Sequence, residues 1–309
     1  MLGTDGRERP SHEKEGLDRE SWMAYLLNAP VVLLILAVYA YPILYSFWIS
    51  LHRWRLTAPK DRRFIGLEAY RQVLSSAEFW GAMKVTFLFT LMALAVVVVV
   101  STIIALVLNE PFRGRGLVRA LILIPWAIPP VVNGLMWKWI FDGKLGVFNG
   151  LLYTLRLIDS YQSWLMKSSL TIPIVAFAHA CNDTAFASII LLGAVQSIPP
   201  ELYDAARVDR AGVWGRFVHV TLPWLLQPYL VVIILATMSA LRAFDVIFAM
   251  TGGGPGTAST TLSWYIYNIS FRFMDFGKGS TYGYILAAIT ALLAVMYIRV
   301  LYRRGEIAV

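Results

Sequence analysis

Six long apolar stretches punctuate the chain, each bounded by charge, and the pattern predicts a bundle of membrane-spanning helices. No charged residue occurs between Glu20 and His52, between Lys84 and Glu110, or between Arg119 and Lys138. A fourth apolar run extends from Ser168 to about Gln196, with Asp183 near its middle. A fifth covers Val220 to about Met250 and carries Arg242 and Asp245; a sixth lies between Lys278 and Arg299. A spanning helix needs about 20 mostly apolar residues, and every stretch is long enough on that measure. Pro42 predicts a kink in the first span. Pro125, Pro129 and Pro130 interrupt the third, which is tolerable where neighbouring helices satisfy the freed carbonyls. Tyr41, Tyr45 and Trp48 suit a membrane interface. Residues 1–21 are polar and dense in charge, and a disordered tail is expected there. The apolar run that follows is too long for the core of a cleaved signal.

Composition supports this reading. Of 309 residues, 58% are hydrophobic and only 15% charged, so much of the apolar surface must face lipid. A net charge of +8 would suggest nucleic acid in a soluble protein; here the cations read as loops near anionic head groups, with membrane lipid and not nucleic acid as partner. The single cysteine, Cys181, excludes an internal disulfide framework, and the four histidines show no metal-ligand spacing. Gly252, Gly253, Gly254 and Gly256 precede no Lys-Ser/Thr pair, so this run is no phosphate-cradling loop, and none occurs elsewhere. No nucleophile–base pairing emerges either. The chain does not read as an enzyme.

Between the fourth and fifth spans lies a charged island, 198–223. Pro199 and Pro200 end the preceding helix, and Pro200 suits the first position of a new one. Glu201 sits where the helix dipole favours a carboxylate. Leu202, Ala205, Ala206 and Asp209 share one face, and two adjacent alanines there let another surface approach closely. A short extramembrane helix that docks onto something is expected.

The island resembles the Glu-Ala-Ala loop of binding-protein-dependent ABC importer permeases. Asp204, Ala205, Ala206, Asp209, Ala211, Phe217, Leu222 and Pro223 fall on that pattern. Asp204 stands for the usual Glu, and Arg210 for the usual Gly, whose turn Gly212 is expected to supply. The likeness continues in Arg119, the proline-rich run 124–132, Trp137, Trp139, Phe141, Asp142 and Gly146, in Phe244, Asp245 and 251–256, and in Asp275 to Gly277. These motifs are similar to those of carbohydrate-type permeases, which import sugars, polyols and glycerol phosphates. At 181–186 the chain departs from the Trp, three residues, Pro-Phe common there.

The resemblance implies an all-α membrane protein with the type I importer fold: a six-helix domain over 22–304, a polar cytoplasmic tail at 1–21 and a C-terminal tail at 305–309. Glu201, Asp204, Ala205, Ala206, Asp209, Arg210 and Ala211 would form the coupling helix in a cleft of the cytoplasmic ATPase. Partners would be a second permease chain, two ATPase subunits that bind ATP and magnesium, and an extracytoplasmic solute-binding protein. This chain itself would carry no cofactor. Both termini would be cytoplasmic, in a bacterial inner membrane. That puts Arg113, Arg115, Arg119, Arg207, Arg210, Arg216, Arg303 and Arg304 inside, but leaves Arg53, Arg55, Lys60, Arg62, Arg63 and Arg71 outside. Charge bias alone does not decide the orientation. The resemblance does. The run 251–256 reads as an extracellular turn meeting the binding protein, or as a plain flexible turn.

Polar groups within the spans are candidates for a substrate path, because at that depth they face a cavity or one another. His179, Asn182 and Asp183 share a face and offer both donors and acceptors for sugar hydroxyls. Trp126 adds a stacking surface and Asn133 an amide; Arg242 and Asp245, one turn apart, are expected to pair. Trp137 and Trp139 read as interface anchors. The competing reading is an ion-coupled transporter using Asp183 or Asp245 as relay, which would show repeated halves and broken helices at matching positions; no such repeat is seen.

Overall fold

The computed structural model describes the backbone of residues 12–305 and the side chains of 22–299; the parts of the two tails at 1–11 and 306–309 lie outside that range. The first helix, α1 (His12–Ile35), starts inside the tail, so 12–21 are helical and not disordered as expected. Glu, Lys, Leu and Arg are good helix formers, and extending a helix already nucleated by the span costs little. A π-turn, Leu36–Ala40, leads into α2 (Tyr41–Ser50). The wide turn lies immediately before Pro42, and the Tyr41 amide bonds back to Leu36. A proline ring crowds the carbonyl four residues earlier, and one extra residue in the turn relieves that contact.

A hairpin of β1 (His52–Arg53) and β2 (Arg63–Phe64) follows, then the short α3 (Glu68–Leu74). Helix α4 (Ala77–Asn109) is the longest, at 33 residues. Ser76 caps it by accepting from the Phe79 amide. The third apolar stretch divides into α5 (Arg115–Ala127) and α6 (Pro130–Ile140), which meet at 98°. The prolines of this stretch predict an interruption, and the structure adds its angle. Pro129 and Pro130 prevent continuation, and their freed carbonyls find a donor on a neighbouring helix.

After α7 (Val147–Thr154) comes α8 (Ser168–Gln196), the centre of the bundle. The island forms α9 (Pro200–Val208) and α10 (Val213–Arg216). A second π-turn, Phe217–Thr221, enters α11 (Leu222–Leu241) just before Pro223, as at Pro42. The fifth stretch therefore spans Val213–Leu241 and does not reach Met250; 245–250 form a separate helix, α12 (Asp245–Met250), packed on α6. Gly134 permits that packing, since a Cβ there would come within 2.8 Å of the Ala249 Cβ. Two further helices, α13 (Leu262–Tyr267) and α14 (Phe276–Gly305), complete the chain. Five stretches are long and apolar enough to cross a membrane, and the bent α5–α6 pair makes a sixth when counted as one.

The core lies where α4, α8 and α11 meet. Alanines at 176, 178, 180 and 187 of α8 are buried against Phe89, Ala93 and Val97 of α4 and Val232 and Ala236 of α11. Small residues let helices approach closely where lipid offers no hydrophobic drive between them. Thr102 and Tyr229 share a buried hydroxyl contact at 2.7 Å. By contrast, no residue in the most apolar window of Trp22–Ser50 is buried. This helix touches the bundle only near its end, where Phe47 and Ser46 meet Tyr284.

The bend between α5 and α6 depends on Asn182. Its Nδ2 donates to the carbonyls of Pro125 and Ile128, the latter at 3.3 Å. Replacing Asn182 by Leu removes the side-chain donor of both, leaving Pro125 only the Ile128 amide, and a loss of about 1–2 kcal/mol is expected, read as a lowered thermal unfolding midpoint in detergent.

Candidate transport path and coupling helix

At mid-depth the structure separates the residues that the sequence grouped on one face. Asn182 turns toward α5, as described. Asn133 is buried and donates to the Ala178 carbonyl at 2.9 Å, tying α6 to α8. Each amide thus spends its Nδ2 on backbone carbonyls of a neighbouring helix. His179 sits between Phe89, with ring centroids 5.3 Å apart, and Ser239 Oγ, 3.4 Å from its Nε2. The same nitrogen lies 3.4 Å from Asp183 Oδ2. The approach lacks hydrogen-bond alignment: Oδ2 is shielded from solvent and has no hydrogen-bond partner among the described residues.

Asp183 borders a cavity of about 150 Å³ between α4, α8 and α11, lined also by Val97, Trp126, Phe186, Val232 and Ser239. Trp126 and Phe186 stack there at 5.4 Å, nearly parallel. The bend places Trp126, from the last turn of α5, over the middle of α8. Phe186 and Ser239 were missed in the sequence. Phe186 lies one turn beyond Asp183, and Ser239 is a lone hydroxyl one turn before Arg242, so both carried a faint periodic signal.

Arg242 and Asp245 do not pair. Helix α11 ends at Leu241, so the two residues are not on one continuous helix and the i, i+3 geometry is lost. The Arg242 Nε instead donates to the Met238 carbonyl at 3.0 Å, and the side chain is exposed. Trp139 is exposed as an interface anchor would be, whereas Trp137 packs on Phe141 and Phe177.

The island forms the expected short helix. On α9, Glu201, Asp204 and Ala205 are exposed and Ala206 is half-buried. Asp204 pairs with Arg207 at 2.7 Å. Val208, Val213 and Trp214 are strongly exposed, which gives the loop an uncovered apolar surface beside its charges. The turn after α9 corrects the expectation for Gly212. Arg210 itself takes the left-handed conformation, φ 55°, while Gly212 is extended at φ −67° and ψ 178°. The Ala211 amide bonds the Ala206 carbonyl and the Arg210 amide bonds that of Arg207. This is a Schellman motif with an arginine at the position glycine prefers. Asp209 precedes this turn and Ala211 closes it.

The glycine run forms a hydrogen-bonded turn packed on α13. Thr251 Oγ1 and Ser259 Oγ lie 2.7 Å apart, and Thr260 Oγ1 donates to the Gly253 carbonyl at 2.9 Å. Gly253 (φ 88°) packs so closely on Trp264 that no Cβ fits.

The family described as "Binding-protein-dependent transport system inner membrane component" matches residues 98–305. The chain belongs to this family. The permease is 36% identical to the trehalose/maltose transport system permease protein of Thermococcus litoralis, over 91% of this chain and 94% of that one. It is 34% identical to the sulfoquinovosyl glycerol transport system permease protein of Agrobacterium fabrum, over 90% of each. A solved permease-containing importer of the acidic polysaccharide alginate superposes with a TM-score of 0.78 over 95% of this chain, at 22% identity. The fold is therefore that of the type I importer permeases, and the protein is an inner-membrane permease subunit that works with a binding protein. The ion-coupled alternative is not favoured.

Non-glycine residues in the left-handed region are strained by about 1–2 kcal/mol. Arg210→Gly is therefore expected to leave the fold intact and raise stability by up to about 1 kcal/mol, measured as a higher unfolding midpoint of the purified permease.

Proposed function

We propose that this permease carries sugars or sugar-like solutes, neutral or acidic, through a path that includes the cavity beside Asp183. The observation that carries the reading is the Asp183 carboxylate oxygen, shielded from water, without a bonding partner, and set beneath a stacked Trp126–Phe186 pair. A carboxylate that accepts hydroxyl protons beside an aromatic plate suits a carbohydrate, whose faces alternate C–H and O–H groups. Relatives named for trehalose, maltose and sulfoquinovosyl glycerol support the same class. Exposed Arg242, one turn from Ser239, is suited to an anionic group on such a solute. His179 lies beside Asp183 on the wall of the path, Asn133 and Asn182 tie the helices around it, and Asp245 opens α12 next to it.

In this reading α9 seats in the cleft of a separate ATPase, which binds ATP and magnesium. Two such ATPases and a second permease chain complete the transporter. ATP binding draws the coupling helices together and opens the path outward, and hydrolysis resets it, so nucleotide selects between two states of the pair of permeases. In the same reading the start of α1 lies on the cytoplasmic side with α9, because α2 ends at the hairpin and the hairpin adjoins the opposite end of α4.

Two substitutions test the reading in the complete transporter. Asp183→Asn keeps size but weakens the acceptor, and solute uptake is expected to fall about tenfold, the equivalent of about 1.4 kcal/mol, with normal assembly. Uptake within twofold of the parent would remove Asp183 from the path. Ala205→Trp, on the exposed face of α9, is expected to abolish uptake while the permease still reaches the membrane. Unimpaired transport in that variant would show that α9 is not the coupling element.

A further inference from the structure

The hairpin between α2 and α3 carries an excess of positive charge that neither the fold nor the path uses. Residues 52–71 hold six arginines and lysines against two carboxylates, Asp61 and Glu68. Arg53 is paired with Asp61 at 3.1 Å, and Arg55 with Asp275 at 2.7 Å. Arg63 reaches only 3.8 Å from the same Asp61, and Lys60, Arg62 and Arg71 have no ion-pair partner among the described residues.

The segment is also a rigid platform. The Ile65 and Gly66 amides bond the Leu51 carbonyl, the Leu56 amide bonds Met274, and the Gly277 amide bonds Trp54. At Gly277 a side chain would collide with the His52 carbonyl. Arg62 lies 4.0 Å over the Trp54 ring, which fixes its charge at the tip. Phe64 and Leu67 are exposed beside it. Arginine and aromatic side chains are enriched in protein interfaces, and charges gather at their rims.

The platform stands at the end of the bundle opposite α9. Helix α4 begins at the contact of Phe79 with Tyr282, near the base of the hairpin, and ends at Asn109 beside α9, about 50 Å away at 1.5 Å per residue. The family pattern begins at residue 98, so the hairpin lies outside it.

We propose that the hairpin docks a carboxylate-rich surface of the solute-binding protein, with Lys60, Arg62 and Arg63 supplying the attraction. The proposal rests on the orientation given above, in which this end faces outward. Positive charge is ordinarily kept on the cytoplasmic side. An acidic soluble partner gives these residues a use on the outer side, because complementary charge speeds encounter and fixes register.

The test is a titration of the complete transporter in lipid nanodiscs with its labelled cognate binding protein, comparing the parent with Arg62→Glu/Arg63→Glu. The double variant is expected to weaken binding about tenfold or more at low salt. The difference is expected to shrink toward nothing near 1 M salt, where the screening length is about 3 Å. Lys60→Gln, a milder change, should give a smaller loss in the same direction. Binding unchanged within twofold in both variants would overturn the proposal. So would unchanged binding together with a thermal-stability loss confined to nanodiscs containing phosphatidylglycerol, since the cations would then serve lipid. Labelling Lys60→Cys in whole cells with a membrane-impermeant maleimide separates the two levels of the argument. Outside labelling with unchanged binding refutes the docking surface alone, whereas protection in intact cells and labelling only after lysis refutes the orientation and the docking surface with it.

Discussion

A bend within a membrane frees backbone carbonyls that no water reaches, and the rest of this permease is arranged around meeting that demand. In hydrocarbon an unsatisfied peptide group costs several kcal/mol, so a 98° break between α5 and α6 can persist only against a donor. Asn182 is that donor for Pro125 and Ile128, and Asn133 ties the far side of the bend to Ala178. Two amides that look like substrate ligands in the sequence are spent on holding the break open. What the break yields is position. It brings Trp126 against Phe186 and over Asp183, and it lets α12 fold back onto α6 at Gly134.

The same economy recurs at the other prolines. Before Pro42 and before Pro223 the helix widens into a π-turn and continues without a sharp break. The second of these lies between α10 and α11. The helix that carries Leu225, Val232 and Ala236 into the core is therefore continuous, through one widened turn, with the segment that carries the exposed Val213 and Trp214. That continuous helix runs on to the cavity wall at Leu235 and Ser239.

The polar groups at mid-depth divide by whether the backbone claims them. Asn133 and Asn182 are claimed, and Arg242 is held by its own helix end. Asp183 remains with an oxygen unanswered, near a histidine that does not align with it. Spacing alone could not separate these roles, since 179, 182 and 183 share a face by periodicity. The division depends on which neighbouring helix presents a free carbonyl, and only the bend of α5 decides that.

Apolar run lengths by themselves determined the number of spans and their order, because a span must bury its whole backbone in hydrocarbon and so leaves a long uncharged stretch in the sequence. The sequence also determined the short helix α9, through Pro200, Glu201 and the two alanines. The tertiary structure decided where the spans break and what the breaks position. Pro129 and Pro130 announce an interruption but not its angle, which depends on donors from α8. The end of α11 at Leu241 carries no proline and so could not be read. That end undid the expected Arg242–Asp245 pair. Arg210 and Gly212 make the same point locally. The sequence offered a glycine two residues late, and the hydrogen bonds closing α9 put the left-handed turn on the arginine instead. A turn belongs to whichever residue sits one past the helix cap, and the hydrogen bonds from Arg210 to Arg207 and from Ala211 to Ala206 fix which residue that is.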